Sequence, residues 1–470
     1  MINDLRGFIA QCDKVGEFKR VSAEVDWNLE LSHVAKLSEE KGGPVLLFEN
    51  VKGYKTPVVT SIFTTTGRMA RILDMPPSST IFDMSKKWVE AEKQGGIPPK
   101  KVKTGPIMEN QKTGDKVDVL SFPVPRYLPD DVGRFFGTAV GVVTKDPETG
   151  FANYGCYRME VLDNKSIGCN FVKGKDAEIM LQKYRARKEL MPCAAVIGGD
   201  PRLLFVAGST LPYGTAEYDI AGALRGEPLE IIESDLTGLP IPAHAEIVAE
   251  GFVNPDPKSF RDEGPFGEYT GYYSGARSPK PWLDIKRILY REQPIFWAEL
   301  IGRPPSANVF IHALAKTATL WTQLNEMGIP GIKSVCFPPS SGRFWTVVSV
   351  KQMYPGHARQ VGMAALGTVA GHYGVKGVII VDDDIRADDW ERVMWALSVR
   401  YNPATDTEII TGTRSTPLDP ALPIGQRNIG SQIIMDATIP FHWEAKPKMA
   451  ELDKAMVEKV QKRWHEFGLE

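Results

Sequence analysis

Cysteine is scarce in this sequence, and neither sign of charge is in excess. The five cysteines are odd in number and none belongs to a CxxC pair, which argues against a disulfide framework or a thiolate zinc site. We therefore expect a reducing compartment, the cytoplasm. The 56 lysine and arginine residues nearly balance the 58 aspartate and glutamate residues, so the summed charge favours neither nucleic acid nor an anionic membrane as a partner.

Long apolar runs and several familiar catalytic motifs are missing as well. No stretch approaches the roughly 18 apolar residues of a membrane span, and Asp4 and Arg6 interrupt the region that a secretory signal would keep apolar. The motifs GxGxxG after a strand, GxxxxGKS/T, HExxH and GxSxG do not occur, which argues against dinucleotide, P-loop, zinc-protease and serine-hydrolase sites. The seven histidines are scattered singly, a distribution more typical of packed or exposed side chains than of metal ligands.

The pattern of apolar residues predicts three segments, which fits the roughly two to four domains expected for 470 residues. Residues 1–110 are predicted to form an α/β domain that begins with a helix capped by Asn3 or Asp4. Residues 306–470 are predicted to return to α/β structure, with a buried strand at 376–385. Helices are expected at 388–400 and at the C-terminal end of the chain.

The last helix carries an apolar stripe whose usual meaning is packing against the core. Its members are Met449, Leu452, Met456, Val460 and Trp464.

The middle segment, residues 111–305, is rich in strand-like runs separated by turn signals every ten to twenty residues. This pattern favours a barrel or sandwich over a doubly wound sheet. One helix is predicted at 176–190. The strand-like runs are GTAVGVVTKD, FANYGCYRMEVL, SIGCNFV, CAAVIGG, RLLFVAG, HAEIVAEGFV, WLDIKRILY and PIFWAEL.

Two glutamates, Glu263 and Glu268, flank the centre of the stretch EGPFGE. Two glycines and a proline exclude a helix there, and on a helix the two side chains would point about 140° apart. A tight loop can turn both carboxylates toward one space, as acid/base chemistry requires. The alternative is a surface turn with two solvated acids.

Three further polar residues are candidates for binding or catalysis. Asn153 and Arg158 lie five apart in NYGCYR, and arginine is well suited to bind a carboxylate, although it could equally form an outward salt bridge. Glu217 precedes the helical stretch DIAGALRG, where it could cap the helix or bind a hard cation.

In their order along the chain, NxxxxR, AEYDIAGALRG, EGPFGEYTGYY and VDDDI followed by a tryptophan-rich helix resemble the UbiD-like family of prenylated-FMN-dependent decarboxylases. The resemblance covers nearly the whole chain. It implies an N-terminal α/β domain (1–110), a central split β-barrel of flavin-reductase type (111–305) and a C-terminal α/β domain (306–470). The last domain would drive assembly of a homodimer or homohexamer.

The resemblance also implies an activity, the reversible non-oxidative decarboxylation of an aromatic or α,β-unsaturated acid or its thioester. Loss of CO₂ from an sp² carbon leaves a carbanion that no side chain can delocalise, which is why a cofactor is needed. By match to the family motifs, Arg158 and Glu263 would form the pair that orients the substrate carboxylate, and Glu268 would donate the proton. We expect burial and the neighbouring charge of Glu263 to raise the pKa of Glu268, while Arg158 keeps Glu263 ionised.

Prenylated FMN, supplied by a flavin prenyltransferase, would be bound with a divalent metal (Mn²⁺ or Mg²⁺) and K⁺. The residues implied for the cofactor, in and near the loop 205–214 and the strand ends, are Asn153, Tyr154, Gly155, Cys156, Arg158, Ser209, Thr210 and Glu217.

The metal ligands implied by the family are Asn153, Glu217 and a histidine that this sequence lacks. Gly174 or Asp176 takes the place of the histidine, and Asp176 would give an oxygen-rich site that tolerates magnesium or manganese. The missing histidine leaves a second interpretation open, a non-catalytic or partner-dependent subunit of a multi-subunit carboxylase. A third, weaker alternative is an ordinary flavin-binding reductase on the same barrel.

Overall fold

A computed structural model describes residues 2–209 and 211–468 of the protein. The chain begins with α1 (Leu5–Lys14), and Asp4 is its N-cap as predicted, with its Oδ1 accepting a hydrogen bond from the Gly7 N–H at 2.8 Å. The other elements of the first part are β1 (Phe18–Val21), α2 (Glu30–Glu39), β2 (Val45–Phe48), β3 (Val58–Thr60), α3 (Thr66–Ile72) and α4 (Ile81–Lys93).

The middle of the chain is dominated by one large antiparallel sheet. Its elements, with the short strands that precede and accompany it, are β4 (Lys100–Lys101), β5 (Asn110–Thr113), β6 (Phe135–Gly137), β7 (Val140–Lys145), β8 (Ala152–Gly155), β9 (Met159–Asp163), β10 (Ser166–Cys169), α5 (Asp176–Arg187), β11 (Met191–Gly198), α6 (Pro201–Ala207), α7 (Glu217–Arg225), β12 (Glu230–Glu233), β13 (Pro240–Pro242), β14 (Ala245–Val253), β15 (Arg261–Glu263), β16 (Ser278–Lys280), β17 (Trp282–Tyr290) and β18 (Phe296–Trp297).

Nine strands form this sheet, in the order β6-β9-β10-β17-β14-β11-β7-β8, with β5 pairing to β17. The sheet curls into a half-barrel whose strands are buried over most of their length. A mixed α/β fold with a curled antiparallel sheet is therefore confirmed. The finer assignment to a split barrel of flavin-reductase type stays a prediction, and so do the domain boundaries.

One strand prediction in this region is wrong. The run RLLFVAG is not a strand but lies in α6, because Pro201 sits in the first turn and the Asp200 side chain caps the helix by accepting the Arg202 N–H. A short apolar run fits a buried helix as well as a strand, and here the cap decides. The run PIFWAEL does contain a strand, β18, but β18 pairs with β3 in the four-stranded sheet β1-β2-β3-β18 rather than with the large sheet.

The last part contains a five-stranded sheet in the order β19-β20-β21-β23-β22, in which β20, β21 and β23 run parallel. Helix α8 packs against α4 of the first part, so the first and last parts are in direct contact. The elements are α8 (Ala307–Glu326), β19 (Ile332–Cys336), β20 (Trp345–Val350), α9 (His357–Gly367), β21 (Gly377–Asp382), α10 (Trp390–Val399), β22 (Thr407–Arg414), β23 (Ile429–Ala437) and α11 (Lys454–Lys462).

Short 3₁₀ turns connect several elements. They are Pro106–Met108, Gly114–Lys116, Val119–Ser121, Pro257–Ser259, Pro339–Ser341 and Trp464–Phe467.

Buried apolar side chains form one continuous cluster that extends from Ile2 to Ala437. The apolar stripe of the last helix does not join it: Leu452 is 82% exposed and Met456 is 54% exposed. The expected packing of this stripe within the chain is therefore wrong. Among the described residues, no helix has the length and apolar character needed to cross a bilayer.

Candidate active site

The stretch EGPFGE begins the long loop that connects the two strands of a small hairpin. Glu263 is the last residue of β15, which pairs antiparallel with β16, and Gly264 follows with a positive φ of 80° that only glycine adopts easily. Arg158 lies between β8 and β9, on the neighbouring edge of the curled sheet. The two segments meet although they are about a hundred residues apart in sequence.

One guanidinium binds both glutamates of the loop. Arg158 donates from Nε to Glu263 Oε1 at 2.7 Å and from Nη2 to Glu263 Oε2 at 2.8 Å, a two-point pairing. Its remaining nitrogen, Nη1, donates to Glu268 Oε1 at 2.6 Å. We call Arg158, Glu263 and Glu268 the acid group; the surface turn with two solvated acids, the alternative left open above, is not what the structure shows.

The acid group is withdrawn from solvent. The side chain of Glu263 is 0% exposed, while those of Arg158 and Glu268 are 14% and 13% exposed. Burial raises the pKa of Glu268, the charge of Arg158 opposes this rise, and Glu263 adds to it. For Arg158, burial acts to lower the pKa, but the two carboxylates outweigh it and the net shift is upward.

A second polar set lies where β8 meets the start of α7. The Glu217 carboxylate accepts from Asn153 Nδ2 at 2.8 Å and from the backbone N–H of Tyr154 at 2.9 Å. Burial raises the pKa of Glu217 to about 8, and the nearby charge of Asp176 contributes to the same rise. The amide oxygen Oδ1 of Asn153 is buried and has no hydrogen-bond partner among the residues that the structure describes. We call Asn153, Glu217 and Asp176 the oxygen-ligand group.

The predicted cofactor residues occupy different surroundings. The ring of Tyr154 is buried and packs edge-on against Tyr218, with ring centroids 5.4 Å apart, and Ser209 Oγ donates to the Val206 carbonyl at 2.7 Å. At Gly155 any side chain would collide with the ring of Tyr157, since an added Cβ would lie 2.5 Å from it. Thr210 lies outside the described residues.

Cys156, in the middle of NYGCYR, is exposed to solvent. Neighbouring protein atoms nevertheless raise the pKa of its thiol to about 11 by burial, so at neutral pH the side chain is a neutral thiol.

Sequence reasoning missed a set of basic side chains from other parts of the chain. We call Lys175, His312, Lys316 and Arg343 the cationic group. Burial lowers the pKa of Lys316 to about 7, and the charges of Arg343 and Lys175 lower it further. The pKa of His312 lies well below its usual range for the same two reasons, with Arg343 the foremost of the neighbouring charges. No local sequence pattern predicts this group, because its members are far apart along the chain. Lys175 precedes α5, His312 and Lys316 lie on α8, and Arg343 lies in the loop before β20.

Arg343 connects the cationic group to the acid group. Its guanidinium lies over the ring of Tyr269, 4.1 Å from the ring centroid, and its charge helps to hold down the pKa of Glu268. The charge of Arg343 acts to lower the pKa of Lys175 and the charge of Glu217 acts to raise it, so Lys175 lies near both residues. The cationic group is thus linked to the acid group through Arg343 and to the oxygen-ligand group through Lys175.

Few side chains near Asn153 could bind a metal ion. Over residues 2–209 and 211–468, no cluster of three or more His, Cys, Asp and Glu side chains is arranged to hold a metal ion. Asn153 and Glu217 remain as hard oxygen donors at one place. Mg²⁺-type ions are commonly held by one or two protein oxygens together with a ligand phosphate, so these donors fit a shared site but not an independent metal site.

The chain matches known protein-family models over most of its length. Three family models match the chain in sequence order: the N-terminal domain (residues 9–88), the Rift-related domain (residues 100–304) and the C-terminal domain (residues 309–437) of 3-octaprenyl-4-hydroxybenzoate carboxy-lyase. The chain belongs to the UbiD family. As a member of the UbiD family the protein is a carboxy-lyase, which confirms the family and the enzyme class expected from the sequence.

UbiD relatives match over nearly their full length. An uncharacterized protein of Archaeoglobus fulgidus is 34% identical over 487 aligned residues, covering 99% of this chain and 98% of that protein. Vanillic acid decarboxylase of Sedimentibacter hydroxybenzoicus, in its open form, is 31% identical with a TM-score of 0.88, covering 99% of this chain and 98% of that one. An evolved dimeric form of the UbiD-class enzyme HmfF from Pelotomaculum thermopropionicum, in complex with prFMN, is 28% identical with a TM-score of 0.82, covering 96% and 99%.

Proposed function

We propose that this protein is a reversible, non-oxidative decarboxylase of an aromatic or α,β-unsaturated carboxylic acid, or of its thioester, that uses prenylated FMN. The observation that carries the proposal is the acid group, in which one guanidinium holds two buried carboxylates of a single loop. A scaffold subunit has no use for this arrangement, because burying three charged groups costs free energy that a packed apolar core would not.

The cationic group supports a flavin mononucleotide as the cofactor. Half-buried lysine and histidine side chains with lowered pKa values mark a place where positive charge is destabilised by its surroundings. A bound phosphate would relieve that destabilisation, and FMN carries a phosphate at one end of the molecule. Asn153 and Glu217 would hold a divalent ion, Mn²⁺ or Mg²⁺, against the same phosphate, with Asp176 nearby.

Prenylated FMN, when bound, supplies the electron sink that the side chains of a protein lack. The HmfF structure contains this cofactor, which supports its assignment to the UbiD protein described here. The potassium ion implied by the family would depend on carbonyl groups of the loop 205–214. A flavin prenyltransferase would supply the cofactor, and assembly as a homodimer or homohexamer stays a prediction.

The acid group divides the work between its members. We assign to Arg158 the binding of the substrate carboxylate, because its guanidinium has the planar geometry that such a group requires. Glu263 fixes the guanidinium by two hydrogen bonds and keeps it oriented. Burial raises the pKa of Glu268, which favours its protonated form, and we assign to Glu268 the delivery of a proton to the carbon that CO₂ leaves.

The direction of the reaction is set by the supply of CO₂, because decarboxylation and carboxylation share one transition state. The Sedimentibacter protein is a vanillic acid decarboxylase, which favours an aromatic acid as the first substrate to test. The ring pair Tyr269 and Phe344, with centroids 6.1 Å apart beside Arg343, would offer an aromatic substrate a flat apolar contact.

The test is to co-express the protein with a flavin prenyltransferase, record the visible spectrum and measure CO₂ release from a panel of aromatic and unsaturated acids. We expect a coloured protein that decarboxylates at least one aromatic acid, and Glu268→Gln should stay coloured without turnover. A colourless, inactive protein would instead favour the non-catalytic subunit. Bound plain FMN with oxidation of a pyridine nucleotide would favour the reductase.

A further inference from the structure

Two buried carboxylates outside the acid group hold the loop EGPFGE by its two glycines. Glu160 Oε2 accepts a hydrogen bond from the backbone N–H of Gly264 at 2.8 Å. Asp131 Oδ1 accepts from the backbone N–H of Gly267 at 2.9 Å. A glycine offers no side chain to pack, so hydrogen bonds to its backbone are a means by which the fold fixes its position.

Glu160 lies directly behind Glu263. It follows Arg158 by two residues, lies in β9, and has a side chain that is 5% exposed. Three charged side chains face it: Glu263, Arg158, and Arg277, whose Nη2 is 3.9 Å from Glu160 Oε1. Because Gly264 is the next residue after Glu263, the hydrogen bond from Glu160 fixes the position of the Glu263 end of the loop.

Asp131 has the matching position at the other end. It is 1% exposed and accepts a second hydrogen bond from the backbone N–H of Leu128 at 2.8 Å, which ties it to its own turn. Gly267 is the residue before Glu268, and an added Cβ there would lie 2.1 Å from the Leu128 side chain. The Glu268 end of the loop is thus held against the segment that carries Asp131.

We propose that Glu160 and Asp131 are positioning residues, which place Glu263 and Glu268 respectively by fixing the glycine next to each. This inference rests on the proposed roles of the two glutamates. The two anchors are separate: Glu160 comes from the strand that follows Arg158, and Asp131 comes from the loop before β6. Loss of one anchor should therefore disturb one glutamate more than the other.

The choice of a carboxylate at both positions has a physical reason. A hydrogen bond from a backbone N–H to an ionised carboxylate is shorter and stronger than one to a neutral acceptor. A loop with two glycines has much conformational freedom to lose, so it needs strong anchors to keep the two acids at one guanidinium.

The experiment compares Glu160→Met and Asp131→Leu, which remove the acceptor, with Glu160→Gln and Asp131→Asn, which keep one. Amide hydrogen exchange of peptides that cover residues 260–275 should rise about tenfold in the first pair and little in the second. Kinetics on the reconstituted enzyme should split: Glu160→Met should raise KM about tenfold because Arg158 and Glu263 orient the carboxylate. Asp131→Leu should instead lower kcat about tenfold because Glu268 is misplaced.

The matched control is Glu246→Gln, a buried acid of β14 that accepts the backbone N–H of Ile295 at 3.0 Å, far from the loop. It should change stability without changing exchange at 260–275 or the ratio of kcat to KM. The inference is overturned if Glu160→Met and Asp131→Leu leave loop exchange unchanged, or if both change KM and kcat alike. If the wild type shows no decarboxylation while loop exchange still responds to the variants, the proposed function fails and the anchoring stands.

Discussion

The acid group and the cationic group are linked through Arg343, whose charge acts on Glu268, but their charges are balanced in opposite ways. In the acid group each glutamate is hydrogen-bonded to Arg158, so opposite charges meet within the protein. In the cationic group, like charges are collected, and burial and mutual repulsion lower the pKa values of Lys316 and His312. The first arrangement pairs opposite charges within the protein, whereas the second brings like charges together, which a bound anion would stabilise.

The acid group is arranged before a substrate binds, whereas the cationic group is suited to binding a cofactor. A group that acts on the reacting atoms must be in place before the substrate binds, so it is held by internal hydrogen bonds. A group that holds a tightly bound cofactor can be costly in the empty protein, because the binding free energy repays that cost. Substitutions in the acid group should therefore affect turnover and stability, whereas substitutions in the cationic group should affect cofactor binding.

The largest effect is expected for Glu268→Gln. The amide keeps the shape of the side chain but cannot donate the proton, so CO₂ release should fall by about 10²- to 10⁴-fold. Turnover on an aromatic acid is the measurement, and the visible spectrum should show that cofactor remains bound. Asp262→Asn, a change at the exposed acid beside Glu263, should leave the rate unchanged. An active Glu268→Gln variant would remove Glu268 as the proton donor.

Arg158→Met should strongly destabilise the protein even without cofactor. It leaves Glu263, whose side chain is fully buried, without its ion-pair partner, and loss of one member of a buried pair costs about 3–5 kcal/mol. Urea unfolding near neutral pH measures the change. The comparison is Arg20→Met, whose ion pair with Glu49 is exposed and should contribute less than about 1 kcal/mol. Equal losses in the two variants would show that the acid group is not preorganised by its ion pairs.

Lys316→Met should weaken FMN binding while stabilising the empty protein. A charged hydrogen bond to an anion contributes about 1.5–3 kcal/mol, which corresponds to roughly a tenfold or greater loss of affinity in a fluorescence titration.

The pH dependence of the empty protein follows from the pKa of Lys316, which is lowered from 10.5 to about 7. Its charge opposes folding fully below pH 7, and the penalty fades as the pH rises toward 10.5. The gain from Lys316→Met should therefore be constant below pH 7 and shrink above it. FMN binding near pH 8 should take up a proton, measured by calorimetry in buffers of different ionisation enthalpy; no proton uptake by the wild type would contradict an anion site at Lys316.

Glu217→Gln should give the smallest effect, a gain of about 1 kcal/mol in the metal-free protein. Burial raises the pKa of Glu217 from 4.5 to about 8, so the wild type loses stability as the pH rises through that interval, and the glutamine variant does not. Thermal unfolding at pH 5 and pH 8 measures the difference. Added Mn²⁺ with FMN should stabilise the wild type but not the variant. An equal response of both to Mn²⁺ would exclude Glu217 as a metal ligand.

Much of the architecture could be predicted locally. The caps and periodic apolar residues predicted α1, α5, α7, α10 and α11, and the alternation of strand and turn signals predicted the large antiparallel sheet. The failures came where local signals are ambiguous. RLLFVAG is apolar throughout, so only its capped first turn shows that it is a helix, and the partner of β18 cannot be read from two residues.

The sequence by itself determined which residue types stand in the loop EGPFGE and beside it, because glycine and proline exclude regular structure there and the motifs resemble one family. Only the tertiary structure decided that Arg158 binds both glutamates, that Glu160 and Asp131 hold the two glycines, and that Lys175, His312, Lys316 and Arg343 share one place. The reason is physical: backbone conformation and helix capping depend on near neighbours along the chain. Burial, pKa shifts and ion pairing depend on which distant segments the fold brings within a few ångströms of one another.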